Sequence, residues 1–198
     1  PNESRIGEID LNQPDYFMAS PNVISYAVDN GLWDPKSGQP FSWKKAYSPA
    51  EGSAASNWRR ARMWRFFDLV SASSKFSPSL PNMDFPFSVK PDHKLSVKDV
   101  MNLCRDKGYD TFFDPTRGIR GGPYKNPNYD SSARLISVKQ AEYTTVTQCR
   151  SWLPSPIGGI VWLAWGAQDT SCFMPFYAGV KAMPGSFRVG DHFVLNRD

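Results

Sequence analysis

The sequence predicts an α+β fold in which helices come first along the chain and strands come last. Residues Ser96–Lys107 have the spacing of a helix with one apolar face. Two β-rich runs follow, Leu135–Arg150 and Ile160–Ala167, separated by a Pro- and Gly-rich turn over Pro154–Gly159. The second run is almost wholly apolar, which is typical of a strand covered on both faces. We therefore expect an antiparallel hairpin in the middle of a layered core.

Two helices are predicted in the first third of the chain. Ser20 and Pro21 favour an N-cap and a first helical turn, and Gly31 ends that helix. Its apolar face consists of Val23, Ile24, Ala27 and Val28. A second helix is expected over residues Ser56–Val70. Its apolar face consists of Trp58, Ala61, Trp64, Phe67 and Val70.

The third helix, Ser96–Lys107, has the clearest start and stop signals. Ser96 and Asp99 resemble a capping box, and Gly108 follows the last apolar position. Its apolar stripe consists of Val97, Val100, Met101 and Cys104. After the hairpin, the segments Cys172–Ala178 and Ser186–Val189 are predicted to be further strands.

Composition favours a globular protein that forms a single domain over residues 1–198. The hydrophobic content is 40% and the aromatic content 14%, both too high for a disordered chain. The net charge is +4, and its only dense basic cluster is Arg59, Arg60, Arg62 and Arg65. A nucleic-acid partner is therefore not expected. No apolar run approaches the roughly 18–20 residues of a membrane helix, so no membrane span is expected.

The residues that usually carry metal or nucleophile chemistry form no recognisable motif. His93 and His192 have no metal-ligand spacing, so neither a metal nor a cofactor is expected. The cysteines Cys104, Cys149 and Cys172 are widely spaced and are interpreted as small buried apolar residues. The glycines of the segment TRGIRGGP only superficially resemble a phosphate-binding loop, because the Walker lysine is missing.

Several long segments, in order, resemble the cysteine dipeptidase family of the N-terminal-nucleophile hydrolases, which are relatives of choloylglycine hydrolase and penicillin V acylase. The similarity covers nearly the whole chain. The matching segments are Arg5–Val23, Gly31–Trp43, Arg62–Pro78, Phe85–Thr116, Gly122–Pro127 and the hairpin that starts at Ser137. Ordered matches of this length are far more specific than any single short motif.

The resemblance implies an αββα sandwich, with two antiparallel sheets between helical layers. It also implies an N-terminal cysteine whose thiolate is the nucleophile and whose own α-amine lies near enough to act as the base. This chain begins at Pro1. We therefore expect it to be the C-terminal half of a larger N-terminal-nucleophile domain, inactive by itself and with the nucleophile upstream. The expected partners are a short peptide substrate and the remainder of its own polypeptide.

Two roles are carried over from the resemblance. Asn2, in the segment PNESRIG, matches an asparagine of the oxyanion hole, whose amide would bind the tetrahedral oxyanion. Arg134, in the segment SSARLISV, matches an arginine at the start of a core strand and would orient the site or a carboxylate. Two other functions stay open, a non-catalytic aromatic-rich binding module and an amidase of the choloylglycine hydrolase type.

Overall fold

The computed structural model describes residues 6–47, 54–81, 84–129 and 134–188. These residues combine helices with one small antiparallel sheet, which confirms the predicted α+β class. The helices are α1 (Val23–Asp29), α2 (Trp43–Tyr47), α3 (Ala54–Val70), α4 (Val97–Arg105), α5 (Ser155–Gly158) and α6 (Gly185–Arg188). The strands are β1 (Tyr143–Cys149), β2 (Gly159–Trp165) and β3 (Met174–Tyr177). No helix in this part of the chain is long and apolar enough to cross a membrane.

The described residues divide into two compact units that alternate along the sequence. Unit 1 takes its residues from the ranges Pro1–Leu95 and Asp106–Val138, and unit 2 from Ser96–Arg105 and Lys139–Asp198. Unit 1 therefore contains α1, α2, α3 and the long loops, whereas unit 2 contains α4 and the sheet.

Helix α3 supplies the main apolar core of unit 1. The predicted helix and its face are confirmed, since Ala61, Trp64, Phe67 and Val70 are all buried, while the Trp58 side chain lies outside the described part. Its other buried members are Met63 of the same helix and, from distant segments, Phe85, Phe113 and Leu135. The Trp64 indole N–H donates to the Phe76 carbonyl at 2.9 Å, so this large ring is buried without leaving its polar atom unsatisfied.

Helix α1 forms where predicted but starts later than the sequence suggested. The cap position is Asn22 rather than Ser20, and its side chain makes no capping hydrogen bond. Val23 and Ala27 are buried in a second cluster with Phe41, which belongs to the loop before α2. Val28, predicted on the same face, is exposed instead. Of the four residues of the predicted face, Val23 and Ala27 are the buried ones.

Helix α4 has the predicted capping box. The Asp99 carboxylate accepts from the Ser96 amide at 2.8 Å, and the Ser96 hydroxyl accepts from the Asp99 amide at 3.2 Å. This exchange satisfies donors that the first turn leaves free. Leu103 is the buried residue of the helix, and α4 packs against β1 within unit 2.

The predicted hairpin is confirmed. Strands β1 and β2 pair antiparallel, with Val146 opposite Trp162, and β3 adds to the other edge of β2. The connection contains the short helix α5, which begins after Pro154. The Arg150 amide donates to the Gly158 carbonyl at 2.8 Å and closes this connection.

The first β-rich run is shorter than predicted. The strand begins at Tyr143, because the preceding residues form irregular backbone and a turn at Lys139–Gln140. Leu135 is buried in the core of unit 1 instead of pairing in the sheet. Polar residues interrupt the alternation in this run. They lie where unit 1 ends, and they do not belong to a strand.

The expectation that β2 is covered on both faces is also wrong for the described residues. One face carries Ile160 and Ala164, which are buried. The opposite face carries Val161 and Trp165, whose exposed fractions are 40% and 53%. A continuous apolar run predicted two covering layers, but only one face is buried here.

The last two strand predictions have opposite outcomes. The segment Cys172–Ala178 contains β3, as predicted. In the segment predicted as the strand Ser186–Val189, residues 186–188 instead belong to the short helix α6, and Val189 lies outside the described residues. Pro184 precedes this helix, and its carbonyl accepts from the Phe187 amide at 2.9 Å. This hydrogen bond closes a turn at the start of the helix, and this local contact prevails over the β propensity of the following residues.

Candidate functional site

The structure describes one of the two residues to which the resemblance assigns a role. Asn2 lies outside the described residues. Arg134 is half-buried in irregular backbone, not at the start of a core strand. Its neighbour Leu135 is buried, and the Ser137 amide donates to the Asp106 carbonyl at 2.9 Å. The backbone around Arg134 is therefore anchored to unit 1, while the role of its side chain stays a prediction.

A charged network not predicted from the sequence joins α3 to the segment that follows α4. The Arg65 guanidinium binds both carboxylate oxygens of Asp106, each at 2.9 Å, and reaches Asp68 at 2.7 Å. Asp106 also accepts from the Gly108 amide at 2.9 Å. The contact with Asp106 raises the pKa of Arg65, so the arginine stays charged. Two-point contacts of this kind fix geometry as well as charge.

We expect Asp106→Asn to destabilise the protein by about 2–3 kcal/mol, since it removes the charge partner of a largely buried arginine. Both side chains are 15% exposed, so the cost falls below that of a fully buried pair. Denaturant unfolding would measure the difference. The matched control is Asp110→Asn, because Asp110 forms an exposed ion pair with Arg117. That change should cost less than about 1 kcal/mol. Equal losses for the two variants would contradict the assignment.

Asp114 organises the Gly-rich loop of residues 114–129 in unit 1. Its buried carboxylate accepts from the Asp110 amide at 2.8 Å and from the amide and hydroxyl of Thr116 at 2.8 and 2.6 Å. Burial raises the pKa of Asp114, but these hydrogen bonds and the charge of Arg117 outweigh it and bring the net pKa below its ordinary 3.8. The acceptor capacity of this carboxylate therefore serves the folding of the loop itself.

The cysteines differ from their predicted environment. Cys104 is half-buried, as expected of a small apolar residue, but Cys149 and Cys172 are exposed. Burial raises the pKa of the Cys104 thiol, with a smaller opposing effect of the Arg105 charge. A raised pKa lowers the fraction of reactive thiolate at neutral pH. Among the described residues, no cluster of His, Cys, Asp and Glu side chains has the arrangement of a metal site.

A groove of about 700 Å³ opens on unit 1. It is lined mainly by apolar and aromatic side chains, with one carboxylate and one amine. The lining residues are Ile6, Gly7, Glu8, Ile9, Tyr16, Phe17, Met18, Ala19, Trp43, Lys44, Phe85 and Phe87. Sequence reasoning did not find this groove, because four separate segments build it. The one signal available beforehand was the apolar run Tyr16–Ala19 within a loop.

Backbone contacts hold the walls of this groove in place. The Trp43 amide donates to the Gly7 carbonyl at 2.8 Å, and Glu8 forms a β-bridge with Ser42. These contacts tie the first wall to the start of α2. The second wall follows a turn in which the Gln13 carbonyl accepts from the amides of Tyr16 and Phe17, each at 3.0 Å. The groove is thus built on fixed backbone, which favours a binding site of defined shape.

Comparison with known proteins assigns the chain to a family of peptidases. The family model for peptidase family C69 matches residues 1–196, so the chain belongs to this family. The predicted resemblance to dipeptidases is thereby confirmed. No solved structure matches the chain significantly.

Several curated dipeptidases are similar to the chain. It is 30% identical over 185 residues to a probable dipeptidase of Salmonella dublin, with 91% of this chain and 39% of that protein covered. It is 24% identical over 187 residues to a probable dipeptidase of Latilactobacillus sakei, with 94% and 37% covered. It is 22% identical over 197 residues to dipeptidase A of Lactobacillus helveticus, with 100% and 40% covered. The chain therefore spans about two fifths of the length of these relatives.

Proposed function

We propose that this chain is part of a dipeptidase that hydrolyses short peptides through a cysteine acyl-enzyme. The observation that carries the proposal is the match to peptidase family C69 over residues 1–196, together with relatives that are named dipeptidases. The nucleophile is a cysteine in a part of the protein outside this chain. The coverage of only 39–40% of these two relatives supports that placement.

The proposed reaction has two covalent steps. The cysteine thiolate attacks the scissile carbonyl carbon, the C–N bond breaks, and the leaving amine takes a proton from the nucleophile's own α-ammonium group. A thioester remains on the enzyme. The α-amine then accepts a proton from water as the water attacks the thioester, and the acid product and the thiolate are released. Reaction by this route requires no metal or cofactor.

Asn2 and Arg134 take the supporting roles. The Asn2 amide N–H₂ stabilises the oxyanion that develops on the carbonyl in both steps. The guanidinium of Arg134 orients the nucleophile's surroundings or a substrate carboxylate, for which its planar fork is suited. The anchored backbone on the C-terminal side of Arg134 supports this role, because a positioning group must itself be held in place.

The sheet of unit 2 supports the proposal that the full-length protein forms an αββα sandwich. A half-covered antiparallel sheet ordinarily carries polar residues on its outer face. Here the exposed face carries Val161, Leu163 and Trp165 on β2, and Phe176 next to Val161 on β3, while β1 adds Thr145 and Thr147. This mainly apolar layer is suited to pack against a second sheet supplied by the remainder of the polypeptide. The chain would then be one part of a larger single domain.

Thiol alkylation of the full-length protein tests the mechanism. We expect dipeptide hydrolysis that iodoacetamide abolishes, since an alkylated nucleophile cannot form the thioester. The control is a variant in which Cys104, Cys149 and Cys172 are all replaced by serine. It should retain activity and remain fully sensitive to the reagent. Insensitivity of this variant would place the reactive thiol within the present chain and refute the proposal.

Preferential cleavage of conjugated bile-salt amides would favour the amidase instead.

A further inference from the structure

We infer that the groove of unit 1 is a substrate subsite, which takes the apolar side chain of a peptide residue while Glu8 binds that residue's positively charged amino group. This inference rests on the proposed function and adds a substrate preference to it. The groove volume of about 700 Å³ lies within the range of roughly 300–1,000 Å³ that small-ligand sites occupy.

The exposed side chains of the groove are unusual for a surface that serves only stability. Tyr16, Met18 and Phe87 are 81%, 98% and 72% exposed, yet all three face the same groove. Phe85 at the same groove is 4% exposed and belongs to the core beneath it. A buried aromatic floor with exposed apolar walls is the arrangement expected where an apolar side chain is to be covered.

The groove has two charged side chains, Glu8 and Lys44, and the Glu8 carboxylate is the one that can bind a cation. Glu8 contributes a carboxylate to the lining, and no hydrogen bond or ion pair to it is found among the residues that the structure describes. A carboxylate beside an apolar surface is complementary to the α-ammonium group of a short peptide. A lipid tail would not supply that positive charge next to an apolar side chain.

The position of the groove along the chain connects it to the proposed reaction. Ile6, at one wall, follows Asn2 by four positions in the sequence.

The test uses the full-length protein and two dipeptides with free amino groups. One has phenylalanine at its amino terminus, and the other is composed of glycine. Phe87→Ala should lower kcat/KM for the phenylalanine peptide by about tenfold and for the glycine peptide by less than about twofold. Glu8→Gln should lower kcat/KM for both peptides by about tenfold, and N-acetylated peptides should not respond to it. The matched controls, Phe112→Ala and Glu142→Gln, change exposed residues outside the groove and should leave both values unchanged.

The other occupants of the groove predict different results. Phe87→Ala could lower kcat/KM equally for both peptides and also lower Tm. This result would mean that the protein's own chain covers the groove, and it would overturn the inference. A change from dimer to monomer in Phe87→Ala would assign the groove to a second copy and would overturn the inference as well. If no peptide is cleaved, calorimetric binding of the phenylalanine peptide decides. Binding that is lost in Phe87→Ala supports the subsite although hydrolysis has failed, and absent binding refutes it.

Discussion

Replacement of Asn2 by alanine in the full-length protein is expected to lower kcat for dipeptide hydrolysis by about 10²- to 10³-fold. The proposed amide donor binds an oxyanion that exists only on the way to the tetrahedral intermediate. KM should therefore change far less than kcat. Steady-state kinetics at saturating dipeptide would measure both values.

The Asn2 result needs a control for general effects of asparagine removal. Asn30→Ala is matched, because the Asn30 side chain is exposed and donates to the Tyr26 carbonyl of α1 at 2.9 Å. Its kcat should stay within about twofold of the wild-type value, in line with the small effects of surface changes. Full activity of the Asn2→Ala variant would remove the oxyanion assignment and leave the cysteine mechanism in place.

Trp64→Ala is expected to destabilise the protein by about 3–5 kcal/mol, a range typical of large aromatic residues deleted from a core. Trp64 is 7% exposed, and its ring centroid lies 5.6 Å from that of Phe113. The change empties the centre of the unit 1 core and also leaves the Phe76 carbonyl without its indole donor. Denaturant unfolding followed by circular dichroism would measure the loss.

Trp152→Ala is the matched control for this prediction. Trp152 is 76% exposed, so removing it leaves no cavity and should cost less than about 0.5 kcal/mol. A loss below about 1 kcal/mol for Trp64→Ala would show that α3 does not supply the main core of unit 1.

The parts of the fold that could be predicted are those specified by neighbouring residues. The capping box of Ser96 and Asp99 spans three positions, and the strand pair joins two successive β-rich runs across the turn at Pro154, so the sequence predicts both. The run from Leu135 failed because its residues have strand propensity while Leu135 packs against α3 and Phe113, distant in sequence. Propensity cannot show to which compact unit a segment belongs.

The site was less predictable than the fold for the same reason. Arg65 and Asp106 are 41 residues apart, and no local pattern indicates that they meet. In the sequence, Arg65 is recognisable only as part of a basic cluster. The groove likewise combines residues as distant as Glu8, Trp43 and Phe87, and its existence depends on how four segments pack. The roles of Asn2 and Arg134 are carried over from the resemblance to a family. Such a resemblance gives matching positions in the sequence but not the contacts that the side chains make.

The alternation of the two compact units along the chain has a consequence for how the protein is made. The core of unit 1 needs Leu135, but α4, which belongs to unit 2, is synthesised before it. Unit 1 therefore cannot complete its core on the ribosome until part of unit 2 has already emerged. Its long-range contacts form late. No single cut can release either unit intact. A nascent chain halted before residue 135 should expose the aromatic surface of α3 and become a substrate for chaperones.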